Sequence, residues 1–212
     1  MSVLDLETPH GPARVHLQLC DRPRGAVVLG HGAGGGVTAP DLVAARRAAV
    51  DAGFAVALVE QPYRVAGRRS PAPAAQLDAA WGAVVAELLD ASLAGLTLVT
   101  GGRSSGARVA CRTAAATGAA GVLCLAFPLH PPGRPEVSRL DELAAVKVPV
   151  LVVQGTRDPF GMPPRGRRRK VVQVAGDHAL RAAARDIEAA VGPWLTNVVT
   201  GSASRRAASS RR

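Results

Sequence analysis

Three residues of this sequence could perform nucleophilic catalysis if the fold brings them together: Ser104, Asp158 and His178. Ser104 is the centre of Gly102-Arg103-Ser104-Ser105-Gly106, a G-x-S-x-G pattern. Three fixed positions in five make a weak signal, and its context strengthens it. An apolar run at 96–100 leads in, and a helical pattern leads out to Gly118. A serine on such a strand-to-helix turn is held in strained backbone with its hydroxyl raised above the sheet. The glycines two positions away remove β-carbons that would collide inside so tight a bend. The backbone N–H of Ser105, at the helix start, is then aimed where an oxyanion would form.

A serine nucleophile needs a base, and the base needs a carboxylate to orient it, in the chain order Ser, acid, His. Downstream of Ser104 lie two histidines, His130 and His178. His178 follows the short strand expected at 171–174 and opens the helix expected from 179 to about 191. His130 comes too early, before any acid-bearing strand. Asp158 follows the apolar run 148–153 by a turn, whereas Asp141 reads as a helix N-terminal charge and Asp177 as a cap of the final helix. Ser104, Asp158 and His178 therefore follow three separate strands. The second half of an oxyanion site is expected from the Gly-rich loop 30–36, with Ala33 as the donor and Gly34 as the alternative. His31 reads as a brace for that loop or a substrate contact. Tyr63 and Arg64, off the end of the next strand, read as substrate contacts, with Arg68 and Arg69 beside them; an Arg fork suits an anionic acyl group.

The elements that must position these groups form an alternating pattern. Strands are expected at 13–19, 26–29, 54–59, 96–100, 121–125, 148–153 and 171–174, with longer amphipathic or Ala-rich segments between them. Thr38 and Pro40 mark a helix start ended by Gly53. Leu77, Trp81, Val84, Val85 and Leu88 make one apolar stripe along a helix expected at 74–93, so Trp81 reads as core. This predicts an α/β domain over 1–196, a mostly parallel sheet of about seven strands with helices on both faces. Between Leu125 and Val148 there is little material for a lid, which favours small esters. The Ser/Ala/Arg-rich stretch 197–212 reads as a basic, disordered tail.

Composition narrows the function classes. The 212 residues are 48% hydrophobic and 20% charged, an ordinary globular balance for one domain. The formal charge is +10, but five positive residues lie at 165–170 and four more in the tail. Those nine account for all but +1 of it. The basic runs lack interleaved aromatics, so no specific nucleic-acid partner is expected. Cys20, Cys111 and Cys124 lack metal-ligand spacing and read as reduced thiols in a cytoplasmic protein. No leader or membrane-length apolar run is read, and no metal or cofactor is expected.

Two rival readings stand beside this one. Gly30, Gly32 and Gly35 also match G-x-G-x-x-G, with the acidic Glu60 ending the next strand, as in a dinucleotide site. Against it, the helix signals at Thr38 and Pro40 come several residues too late. A hydrolase shell kept as a non-catalytic binding or scaffold module is the other.

The motifs at 30–34 (Gly-His-Gly-Ala-Gly), 61–69, 101–108, 154–161 and 176–178 resemble a family of small α/β-hydrolases related to the dienelactone hydrolases. Its members include testis-expressed and chromatin-complex subunit-like proteins. The likeness spans about residues 25–195. It implies the α/β-hydrolase fold, hydrolase chemistry on a small acyl substrate and the Ser104, Asp158, His178 assignment. Two departures are plain. Dienelactone hydrolases carry Cys where this chain has Ser104. The Pro- and Arg-rich 162–170 replaces a usual helix, which could shift Asp158 or leave a basic loop near the site.

Overall fold

In the computed structural model, which describes residues 1–209, the seven expected apolar runs join one sheet and an eighth strand completes it. In chain order the strands are β1 (Ser2–Leu6), β2 (Ala13–Gln18), β3 (Ala26–Gly30), β4 (Ala55–Glu60), β5 (Leu98–Arg103), β6 (Gly121–Leu125), β7 (Val150–Gly155) and β8 (Arg169–Val174). They lie in the order β1-β2-β4-β3-β5-β6-β7-β8. β1 pairs antiparallel with β2, and β2 with β4; every later pairing is parallel. Parallel pairing brings the carboxyl ends of β3 to β8 to one edge, where an α/β sheet places its ligands.

The missed strand is β1. Neither of its faces is buried, and Val3 is 55% exposed, so it has no core-facing signature to read. Its pairing with β2 sets Asp5 opposite Arg14, and the two form an ion pair at 2.8 Å.

The helices are α1 (Pro40–Asp51), α2 (Pro62–Val65), α3 (Ala74–Asp90), α4 (Ser105–Thr113), α5 (Leu140–Ala144) and α6 (Ala184–Ser209). Because side chains alternate across a strand, each buried strand feeds two cores. Val27, Leu29, Leu123 and Leu151 face α1 and α6, meeting Leu42, Ala45, Ile187 and Leu195. Val28, Ala57 and Val59 face the α3 stripe of Leu77, Trp81, Val84, Val85 and Leu88. Val122, Cys124 and Val152 face α4 and α5. Cys111 and Cys124 lie there as buried free thiols, their sulfurs 3.6 Å apart.

Several boundaries differ from the sequence reading. The N-cap of α1 is Ala39 with no side-chain cap, not Thr38; Pro40 does occupy the first turn. The last helix starts at Ala184, not 179, because Leu180 sits at φ +50°, outside helical backbone. Nor does order stop after Trp194: α6 continues through the expected boundary at 196 to Ser209, with Leu195 and Val198 buried against the sheet. The tail expected to be disordered from 197 is thus helical as far as Ser209, while 210–212 lie outside the described residues. Between β6 and β7 stands only the five-residue α5. Among the described residues no helix is long and apolar enough to cross a membrane.

Candidate active site

The turn at Ser104 is built by what its neighbours lack. Ser104 adopts φ +51°, ψ −108°, between β5 and α4. A β-carbon on Gly106 would be driven into the carbonyl of Gly30, and would reach 2.8 Å from that of His31. One on Gly102 would strike the same Gly30 oxygen and approach Gly106 C to 2.8 Å. Both glycines are therefore required by the closeness of β3 to the turn. The strained serine is held from both sides, its N–H donating to Leu125 O at 2.9 Å and its carbonyl accepting from Arg108 N at 3.2 Å.

The structure brings Asp158 and His178 to it. His178 Nε2 lies 2.9 Å from Ser104 Oγ, and Nδ1 lies 2.8 Å from Asp158 Oδ2. An ionised carboxylate only accepts, so Nδ1 carries the proton and Nε2 is left to accept from the serine hydroxyl. Asp158 is fixed in turn. Its Oδ1 accepts from Phe160 N at 2.9 Å and its Oδ2 from Gln154 Nε2 at 2.8 Å. Gln154 is wholly buried and also donates towards the Phe127 and Gly161 carbonyls, so three acceptors dictate which way its amide faces. The Phe160 ring meets the His178 ring edge-on, 4.3 Å between centroids at 68°. The Asp158 side chain is 1% exposed and that of His178 17%, so solvent reaches the imidazole but not the carboxylate beside it.

The other candidates make different contacts. His130 Nδ1 donates to Pro131 O. Asp141 sits in the first turn of α5. Asp177 caps no helix; its Oδ1 accepts from Ala179 N within the turn carrying His178. That turn approaches β7 so closely that a β-carbon on Gly155 would collide with the carbonyls of Gly176 and Asp177.

The Gly-rich loop after β3 is braced by two residues expected as substrate contacts. His31, 3% exposed, donates from Nδ1 to Gly32 O at 2.8 Å and accepts at Nε2 from Gln61 N at 3.0 Å. Burial pushes its pKa down, in keeping with a neutral ring that must accept. Tyr63 Oη donates to Ala33 O at 2.8 Å, and burial raises its pKa to about 12. Both side chains are thus committed to the loop rather than open to substrate. Arg64 donates to Arg68 O at 3.2 Å and forms no ion pair among the described residues. Ser105 is the first residue of α4, where a helix leaves its N–H groups without intrahelical partners.

The stretch 162–170 leaves Asp158 within hydrogen-bond reach of His178. It runs back to the amino ends of β7 and β8, where Val150 N donates to Arg168 O at 2.7 Å. The dinucleotide reading fails on two counts. The helix after the glycines opens only at Pro40, and Glu60 is engaged with His16 Nε2 at 2.6 Å. Among the described residues no group of three or more His, Cys, Asp or Glu side chains gathers to hold a metal.

One pair was not anticipated from the sequence. Asp41, with no side-chain exposure, lies 2.8 Å from Arg103 Nε. Nothing in their spacing marks them; only the Arg at the variable position before the serine could have drawn notice.

A family model described as an alpha/beta hydrolase domain matches residues 23–189. The chain belongs to that family. No curated protein sequence matches this α/β-hydrolase significantly. Among solved structures, a lidless serine hydrolase from Xanthomonas campestris superposes with TM-score 0.72 at 22% identity, over 90% of this chain and 91% of that one. The esterase Est1E from Butyrivibrio proteoclasticus gives 0.77 at 13% identity, over 94% and 100%. A dienelactone hydrolase from Anabaena variabilis gives 0.72 at 16%, over 92% and 96%. At these identities the likeness is one of fold, that of a small α/β-hydrolase.

Proposed function

We propose that this α/β-hydrolase is a serine esterase for small acyl substrates, with Ser104 as nucleophile, His178 as general base and acid, and Asp158 orienting the imidazole. The observation carrying the proposal is the continuous hydrogen-bonded chain from Ser104 Oγ through His178 to Asp158. Ser104 Oγ attacks the acyl carbon while its proton passes to His178 Nε2. The imidazolium so formed is stabilised by Asp158, and its proton then goes to the leaving alkoxide as the C–O bond breaks. Water attacks the acyl-enzyme by the same route, giving a carboxylic acid and free Ser104.

The oxyanion is assigned to the backbone N–H groups of Ser105 and Ala33. Ser105 offers a helix N-terminus, and Ala33 lies in a loop whose carbonyl Tyr63 holds in place. The short β6–β7 connection supports small substrates, because little chain is present to cover a long acyl group. Arg64, without a carboxylate partner, is the candidate contact for an anionic acyl group.

The test is a hydrolysis screen over p-nitrophenyl esters of graded length and over neutral and carboxylate-bearing acyl groups. The expected result is turnover of short esters that Ser104→Ala abolishes. Failure to cleave any of them would favour the non-catalytic scaffold reading.

A further inference from the structure

We propose that Arg103, the variable residue preceding the nucleophile, is a positioning residue that clamps the backbone of His178 to the Ser104 turn through its buried pair with Asp41. The inference rests on the Ser104 reading for its catalytic consequence, and on geometry alone for the clamp.

One guanidinium meets three separate segments. Its Nε pairs with Asp41 Oδ2 at 2.8 Å in the first turn of α1. Its Nη2 donates to the His178 carbonyl at 3.1 Å. Its Nη1 lies so close to Gly32 that a β-carbon there would come within 2.7 Å of it. A planar fork with five fixed donors can hold such an arrangement; a single rotatable ammonium cannot. The nucleophile's neighbour in sequence therefore grips the backbone of the base, 75 residues away, and lies against the Gly-rich loop.

The base needs such a hold. His178 lies between β8 and α6 in a segment of turns, with Leu180 at positive φ. Asp158 fixes its ring, but the ring can be no better placed than the backbone bearing it. Arg103 supplies that anchor.

Energetics agree with a positioning role. Asp41 is fully buried, and its other oxygen accepts from Leu42 N at 2.9 Å. Burial pushes its carboxyl pKa up, and Arg103 pulls it back. A buried ion pair of this kind adds little net stability over an apolar pair. Its contribution here is geometric: it holds the guanidinium where Nη2 donates to the His178 carbonyl and Nη1 lies against Gly32.

The test compares wild type, Arg103→Lys and the double variant Arg103→Met/Asp41→Asn, which removes both charges and leaves neither unpaired. Readouts are melting temperature, kcat and KM on p-nitrophenyl acetate, and amide exchange of residues 176–183. Loosening the base by about an ångström predicts a kcat loss of about 10²-fold with KM within about twofold. Arg103→Lys keeps the charge opposite Asp41 but loses the fork, so both variants should melt close to wild type while neither keeps wild-type kcat. A merely structural role would make kcat follow melting temperature. Exchange at 176–183 should quicken in both variants. Wild-type kcat and unchanged exchange in Arg103→Lys would overturn the clamp, and this variant decides should the double one not fold. If wild type cleaves no ester yet exchange at 176–183 still quickens in the variants, the clamp stands and the Ser104 reading falls.

Discussion

The two ends of one sheet differ in what they do with charge. At the carboxyl ends of β5, β7 and β8, the charges nearest Ser104 are sheltered and partnered, while Arg157 and Asp177 beside them are exposed. Asp158 receives Gln154, Phe160 and His178, and Asp41 receives Arg103. At the amino ends of β7 and β8 lies the densest run of charge in the chain, at 165–170, and its Arg165, Arg167 and Arg168 form no ion pair among the described residues. Chemistry needs groups whose orientation is imposed, and burial with directed hydrogen bonds imposes it. An exposed arginine run contributes net charge without orientation. The +10 of the sequence is thus a poor guide to function, and the sheltered end a good one.

That contrast can be broken by substitution at either end. The largest effect belongs to Ser104→Ala, expected to lower kcat by about 10⁴–10⁶-fold with melting unchanged. Asp158→Asn should cost about 10⁴-fold, since an amide in place of the carboxylate can hold His178 in the wrong tautomer; steady-state ester hydrolysis reads both. Gly106→Ala should destabilise by about 3 kcal/mol in chemical denaturation, because its methyl meets the backbone of β3. His31 gives a smaller, pH-dependent effect. Its folded pKa lies below the ordinary 6.5, so in the interval between the two the unfolded chain holds more protons. The stability it contributes is present above about 6.5 and is lost as pH falls through the depressed value. Denaturation at pH 8 and pH 5 should show a larger fall for wild type than for His31→Gln. Smallest of all, Arg167→Ser/Arg168→Ser should leave kcat/KM within about twofold and stability within about 0.5 kcal/mol. A large loss there would erase the distinction between the two ends.

Much of the sheltered end was legible in the sequence because local rules write it there. Gly102 and Gly106 report a steric demand, chain order selects His178 over His130, and a place just past an apolar strand selects Asp158 over the helix-opening Asp141. The α3 stripe ending at Leu88 reports its own burial. What stayed hidden depends on contacts between distant segments. Asp41 and Arg103 lie 62 positions apart with no pattern linking them. Gln154 falls just past the apolar run expected at 148–153, and only the fold sets it beneath Asp158. The start of α6 was misplaced because apolar and Ala-rich spacing at 179–183 is compatible with a helix, while the tertiary need to carry His178 over Ser104 imposes a turn with Leu180 at positive φ. Likewise the Ser/Ala/Arg composition after 196 says little about order, which for Val198 comes from packing against β6 through Gly121.

The central claim is that the sheltered end holds an activated serine, and covalent labelling tests it most directly. Wild type would be treated with a fluorophosphonate, digested and mapped by mass spectrometry. The account predicts one adduct, on the peptide bearing Ser104, absent from Ser104→Ala and strongly slowed in His178→Ala. No adduct on wild type, or equal labelling of Ser104→Ala, would contradict it.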